Sequence, residues 1–316
     1  MITDPSKEQH PELKREALKA KTYTVTDCLE EMLHDLEHGK QKGSTTHNEN
    51  IDQCWTWRRE EFNIWTGYAN EGKSLFIKQL CMPKALKSKW KFAFCSPEDY
   101  PPSEFFDDMI HTLSGLTTDK DRKNVIKKDL YMHLVELIKE HFYFIYIDPP
   151  NNTIKGALEQ FRQLHENVGL DGCIIDPLLK FARPKGFSER DDIYASYIGS
   201  ISVDFARKTQ TSLHLVMHQL TPRIGEDKKY PQPSMYSMKG GGSWADGADN
   251  VLSVWRPNYA SDKQDDEVEF ASQKIKKQKL VGLPQRLKLK FDRVTNRYVD
   301  YKTRKPIFDF DKMIYE

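Results

Sequence analysis

Six short apolar runs punctuate the chain: FNIWTG (62–67), KFAFCS (91–96), FYFIYID (142–148), GCIIDP (172–177), SLHLVMHQ (212–219) and NVLSVW (250–255). Each has strand length and polar or turn-forming flanks, the pattern of a strand buried on both faces. Segments of helical period, such as SLFIKQLCMPKAL (74–86) and TIKGALEQFRQLHENV (153–168), separate most of them. This alternation predicts a largely parallel sheet covered by helices. Near the end, VEFASQKIKKQK, RLKLKFDRVTNRYVDY and a final IFDF alternate with period two, which predicts an antiparallel extension of the sheet.

Residues 1 to 22 are polar and rich in Lys and Glu. Val25, Leu29, Met32, Leu33 and Leu36 then fall at helical spacing after Thr24 and Thr26, which are suitable N-caps, so an amphipathic helix over 24–38 is expected. His38 to Asp52 is rich in Gly, Ser, Thr and Asn and reads as a linker. The expected division is an arm, helix and linker over 1–52, then one large α/β domain over 53–316.

Composition narrows the class. Hydrophobic residues make up 38% of the 316 positions and charged residues 30%, and no apolar run approaches the roughly 18 residues that cross a bilayer. A soluble protein without a membrane segment is expected. Cys28, Cys54, Cys81, Cys95 and Cys173 show no CxxC spacing, and the N-terminus has no apolar signal stretch, so the expected compartment is a reduced cytoplasm, a host cell's if the protein is viral. The net charge of +1 leaves nucleic-acid binding to a local patch.

The chemistry concentrates at Gly67-Tyr68-Ala69-Asn70-Glu71-Gly72-Lys73-Ser74, a GxxxxGK[ST] loop between a strand and a helix beginning near Leu75. Glycines there let backbone N–H groups turn around phosphate oxygens at a helix N-terminus. Lys73 is expected to reach the β and γ phosphates and Ser74 to coordinate Mg²⁺, while Tyr68 to Glu71 need only pack outside the nucleotide, which leaves their chemistry loose. The strand GCIID ends in Asp176, which suits the magnesium shell. Asp148 has the same look, and the helix over 153–167 between the two favours Asp176. Glu98, just after a strand expected to neighbour the phosphate-loop strand, is the candidate general base. Ser96-Pro97-Glu98-Asp99 reads equally well as a cap for the next helix.

The phosphate loop, Glu98, Asp176, the pair His218-Gln219 and the segment Lys239 to Asp249, in this order, resemble the motor domain of DnaB-family ring helicases, a family that includes phage primase-helicases and the mitochondrial Twinkle helicase. The resemblance spans about residues 55 to 300. It implies a RecA-like ATPase core, ATP or another nucleoside triphosphate with Mg²⁺, water activation by Glu98, and sensing of the γ-phosphate by Gln219, with His218 a second candidate. It also implies a homo-oligomeric ring, a hexamer by the family pattern, that acts on single-stranded and forked DNA, with a primase or other replication module as partner.

The long stretch from Thr221 to Ala248 carries Arg223, Lys228, Lys229 and Lys239 with Gly240 to Gly242. In the resembling family this loop lines the channel, and cations and bare glycine backbone suit phosphates of a single strand. Charge alone equally describes a solvated loop. Lys180, Arg183 and Lys185 after Asp176 form a second, weaker set. At Lys277-Gln278-Lys279 the family pattern implies a cationic finger reaching the neighbouring subunit's nucleotide. Lysine stands where the family has arginine, and it lacks the two-pronged contact of guanidinium, which makes Arg286 and Arg293 alternatives. The other reading of KIKKQK is a lysine-protected edge strand. Two functions remain open at this point: a replicative helicase motor that unwinds duplex DNA, or a RecA-like ATPase that assembles on DNA or switches a partner without unwinding.

Overall fold

The computed structural model describes residues 22–184, 186–187, 190–222 and 229–315. The chain divides into two compact units, Met1–Gln41 and Lys42–Glu316. In the first, a single 3-10 turn (Thr26–Cys28) leads into helix α1 (Leu29–His38). Thr24 and Asp27 are bonded reciprocally just ahead of it: the Thr24 N–H donates to Asp27 Oδ2 at 2.7 Å and the Asp27 N–H to Thr24 Oγ1 at 3.4 Å. The N-caps are Val25 for the turn and Cys28 for α1 rather than Thr24 or Thr26, and Thr26 lies inside the turn. Val25, Leu29, Met32, Leu33 and Leu36 are all exposed.

The second unit starts earlier than the composition suggests. The segment read as a linker up to Asp52 is partly core: the Asn48 side chain caps α2 (Glu49–Cys54), Thr46 and Ile51 are fully buried, and Ser44 pairs with Trp57. Polar residues here satisfy backbone groups inside the fold, which composition cannot distinguish from solvation.

All six apolar runs form strands: β1 (Phe62–Gly67), β2 (Phe92–Cys95), β3 (Phe142–Ile145), β4 (Gly172–Ile175), β5 (Ser212–His218) and β6 (Asn250–Trp255). They are parallel, and β7 (Glu267–Ile275), β8 (Arg286–Asp292) and β9 (Arg297–Asp300) extend the sheet antiparallel, in the order β3-β2-β4-β5-β1-β6-β7-β8-β9. Helices α3 (Lys73–Ser88), α4 (Pro102–Ser114), α5 (Lys128–Ile138), α6 (Ile154–Val168) and α7 (Asp191–Thr209) link the strands. Short helices α8 (Ser243–Gly247), α9 (Gln278–Val281) and α10 (Phe310–Tyr315) follow.

Alternate strand residues feed two cores. Trp65, Phe92, Phe94, Ile174 and Val216 pack on the side of α3, α4 and α5, whereas Ile64, Ala93, Cys173, Ile175, Leu213 and Leu215 pack on the side of α6 and α7. This two-sided burial explains why the strands read as continuous apolar runs. His214 sits in the first core against Trp55, Trp57 and Trp65. The Trp65 indole N–H donates to its Nδ1 at 2.9 Å, so Nε2 carries the proton toward Ser212 Oγ, also at 2.9 Å. Burial holds this imidazole neutral, pushing its pKa down to about 3.

Three expectations fail. IFDF is no strand: Phe308 and Phe310 bury their rings beneath the start of α10. KIKKQK is strand only at Lys274 and Ile275, the end of β7, and the chain then turns into α9. Most consequentially for the site, β2 does not neighbour β1. The crossover through α3 carries β2 three places away, and β4 and β5 later fill the gap.

Candidate active site

The carboxyl ends of β1, β2, β4 and β5 open on one edge of the sheet, where open α/β folds hold their ligands. The phosphate loop follows β1 and leads into α3, whose N-terminus therefore faces that edge. Its shape demands glycine at two points. A side chain on Gly67 (φ +153°) would meet the Val254 carbonyl at 2.2 Å, and one on Gly72 (φ +88°) the Tyr298 hydroxyl at 2.3 Å. Asn70 takes φ +60°, which asparagine tolerates.

Of the intervening residues, Ala69 and Asn70 are exposed, while Tyr68 and Glu71 are buried. Glu71 is fully buried and accepts the Tyr68 N–H at 3.3 Å; Tyr68 is buried too, and its hydroxyl donates to the Pro231 carbonyl at 3.1 Å. Lys73 is buried and donates to the Tyr68 carbonyl at 2.6 Å. Burial lowers its pKa, opposed by the charges of Asp176, Glu71 and Glu98. Leu75, one residue past Ser74, is partly buried against the α3-side core.

Asp176 follows β4, its N–H donating to the Cys95 carbonyl at 3.1 Å. Its carboxylate is buried, which pushes its pKa up to about 6 against the hydrogen bond from Ser74 and the charges of Lys78 and Lys73. A serine hydroxyl beside a carboxylate is a hard-oxygen pair that fits Mg²⁺. Asp148, in contrast, is exposed beyond β3, the edge strand of the sheet.

Glu98 reaches the site although its strand lies three places from β1. It sits exposed in a 3-10 turn (Pro97–Asp99) and pairs with Lys180 at 3.4 Å. This turn does not cap α4, whose N-cap is Pro101. The neighbouring Asp99 anchors the turn instead: it accepts Ser96 Oγ at 2.9 Å and buried Lys78 of α3 at 3.1 Å. The turn bearing Glu98 is thereby tied to the same helix that begins at Lys73.

His218 ends β5 opposite Gly67. Burial, then the charges of Lys73, Lys239 and Lys180, push its pKa down to about 4, so the imidazole is neutral at neutral pH. Gln219 is bound differently: its amide donates to Thr66 Oγ1 at 2.9 Å and the Ser234 carbonyl at 2.8 Å. His218 is thus the residue in the field of both Lys73 and the neighbouring lysines, while Gln219 fastens the following loop to β1.

The described residues of that loop are held by specific contacts. Lys239 N–H donates to the His218 carbonyl, Gln273 to the Pro233 carbonyl and Gln232 to Glu269. Lys229 and Lys239 are exposed. Gly240 (φ +97°) lies under Trp244, whose indole nitrogen a side chain would meet at 2.5 Å, whereas Gly241 (φ +86°) is open and Gly242 has an ordinary helical φ of −67°. Arg223, Lys228 and Lys185 lie outside the described residues. Arg183 pairs with Asp191 at 2.5 Å and stacks on Tyr194.

Lys277 and Lys279 lie at the other end of the sheet. Ile275, where β7 ends, pairs with Asn250 at the start of β6, and the charge of Lys277 acts on Glu61 just before β1. A strand of that length separates them from their own phosphate loop by on the order of 20 Å. Arg286 pairs loosely with Glu269 at 3.9 Å, and Arg293 donates to the Lys263 carbonyl at 2.6 Å.

Comparison with known proteins places the chain in a family. The family model for the DnaB-like helicase C terminal domain matches residues 43–300. The chain belongs to that family. The matched start also coincides with the structural unit rather than with Trp55. Among relatives, a Twinkle homolog protein, chloroplastic/mitochondrial, from Arabidopsis thaliana is 23% identical over 312 residues, covering 92% of this chain and 42% of its own length. A probable plasmid replicative DNA helicase from Chlamydia psittaci is 24% identical over 196 residues, 60% of this chain and 41% of that protein. The chain spans less than half the length of both relatives. Two solved structures share the fold with TM-scores of 0.71: a separately solved ATPase domain, at 16% identity over 89% of this chain and all of that one, and a DnaB-like replicative helicase studied with primase, at 15% over 88% and 69%.

The geometry adds residues that sequence reading passed over: Tyr298, Lys78, Asp99 and Arg256. Arg256 follows β6 and its charge acts on Glu71. Only its position directly after an apolar strand could have signalled it. The other three act through contacts between distant elements.

Proposed function

We propose that this chain is the motor unit of a replicative DNA helicase that hydrolyses ATP, or another nucleoside triphosphate, between copies of itself and separates duplex DNA by running along one strand. One observation carries this reading: a complete phosphate loop at one end of the sheet and the cationic Lys277–Lys279 segment at the other, out of reach of each other within one chain. A ring, hexameric by the family pattern, brings each segment to the next copy's nucleotide. The exposed apolar stripe of α1 then docks on an adjacent copy.

In this reading Gly67, Asn70, Glu71, Gly72 and Leu75 shape the phosphate cradle and Lys73 pairs with the β and γ phosphates. Ser74 and Asp176 would hold Mg²⁺, which when bound neutralises phosphate charge. Glu98 takes a proton from the attacking water, with Asp99 and Lys78 holding its turn. His218 and Gln219 relate phosphate occupancy to the loops on the DNA side, where Lys180, Arg183, Lys229, Lys239, Gly240 and Gly242, with Arg223 and Lys228, contact the strand. A primase or other replication module is the partner we propose. Among the described residues no helix is long and apolar enough to cross a membrane.

The test is nucleotide hydrolysis with and without single-stranded DNA, beside strand separation of a forked duplex, for wild type and Lys73→Ala. DNA-stimulated hydrolysis and unwinding, both lost in Lys73→Ala, are expected. Stimulated hydrolysis without unwinding would instead assign a RecA-like switch ATPase.

A further inference from the structure

Between the turn that follows β4 and the residues that follow β5 lies a cavity of about 370 Å³, at the lower end of the range for small-molecule sites. Leu178, Phe181 and Met217 give it apolar walls, and Arg183, His218 and Lys239 bring nitrogen groups to it. Two further apolar residues lining it, Leu179 and Leu220, are 56% and 51% exposed, so the cavity communicates with solvent.

Tyr194 of α7 makes this cavity specific. The residue is 1% exposed, and its hydroxyl has no hydrogen-bond partner among the described residues. A buried hydroxyl left without a partner is costly, and a fold sustains one where something else answers it. The Arg183 guanidinium lies 4.8 Å from the Tyr194 ring centroid while paired to Asp191. Walls of this kind accept a flat ring, the hydroxyl offers a hydrogen bond to a ring carbonyl or nitrogen, and Lys239 offers a charge to an attached phosphate.

We infer that this cavity takes up one nucleobase of a single DNA strand, so that the strand is gripped by a base as well as by its phosphates. The inference rests on the reading of the chain as a single-strand motor. It also gives His218 a second neighbour. The imidazole lies in the field of Lys73 and lines the cavity, so the presence of a base and of a nucleotide phosphate meet at one side chain.

The experiment uses the full chain and two strands of equal length, an oligothymidylate and its abasic counterpart, with affinity read by fluorescence anisotropy. Wild type is expected to prefer the base-bearing strand. Tyr194→Phe, which removes the orphan hydroxyl without changing the packing volume, is expected to weaken that strand about 3- to 10-fold while leaving the abasic strand unchanged. An oligothymidylate carrying 5-iodouracil should crosslink on irradiation to peptides holding Phe181 or Tyr194. Equal affinity for both strands together with DNA-stimulated hydrolysis overturns the base site and leaves the motor reading intact. Crosslinks confined to other peptides also overturn it. Binding of neither strand overturns the motor reading and the base site together.

Discussion

The hydroxyl of Tyr298 donates to the carbonyl oxygen of Gly72 at 2.9 Å, joining β9 to the phosphate loop across 226 positions of chain. The ring is buried edge-on against Phe76 of α3, and the Tyr298 N–H donates to Gln79 Oε1 at 3.0 Å. The antiparallel extension is therefore a support for the phosphate loop and the first turns of α3.

Tyr298→Phe removes that hydrogen bond and keeps the ring. One neutral hydrogen bond contributes about 0.5–1.5 kcal/mol, so a KM for nucleotide raised about 3-fold and a melting temperature lowered by about 2–3 °C are expected. Steady-state kinetics and thermal melts check this. An unchanged KM would show that the strap does not shape the loop that binds nucleotide.

Glu71 makes stability depend on pH in a defined sense. Burial raises its pKa from 4.5 to about 7, opposed chiefly by Lys73. The folded state then binds more protons than the unfolded state between those values, so its contribution is present below pH 4.5 and is lost as pH rises through 7. The loss is on the order of 3 kcal/mol at most. Glu71→Gln removes this dependence, so its melting temperature should gain on wild type from pH 5 upward and level off above about pH 7. A constant difference across that range would show that Glu71 titrates normally.

The separation of Lys279 from its own phosphate loop predicts complementation. Lys73→Ala and Lys279→Ala proteins should each hydrolyse nucleotide at a small fraction of the wild-type rate. Mixed copies should recover activity, because an intact loop from one variant meets an intact lysine from the other. Hydrolysis in the mixture equal to the mean of the two variants alone would remove Lys279 from the site and turn attention to Arg286 and Arg293.

Much of this protein was legible from residues in order. The six parallel strands follow from apolar runs because burial on both faces leaves no polar alternation, as in Cys173 to Ile175. The phosphate loop follows from local chemistry: Gly67 and Gly72 occupy backbone geometries that exclude side chains, and Lys73 and Ser74 stand next to them.

What the tertiary structure alone decided is who meets whom across the chain. Strand order removed β2 from the side of β1, yet the Lys78–Asp99 pair ties the turn of Glu98 to the phosphate-loop helix. Gly43 to Asp52 reads as linker by composition but folds into the core, since its polar groups find partners such as Asp52 for Thr46. IFDF alternates like a strand, but Phe308 and Phe310 reach their core from the approach to a helix. Periodicity and short motifs report forces between near neighbours in sequence. The Tyr298 strap, the orphan hydroxyl of Tyr194 and the distance of Lys279 from its own nucleotide site arise from contacts between remote segments, which no local pattern encodes.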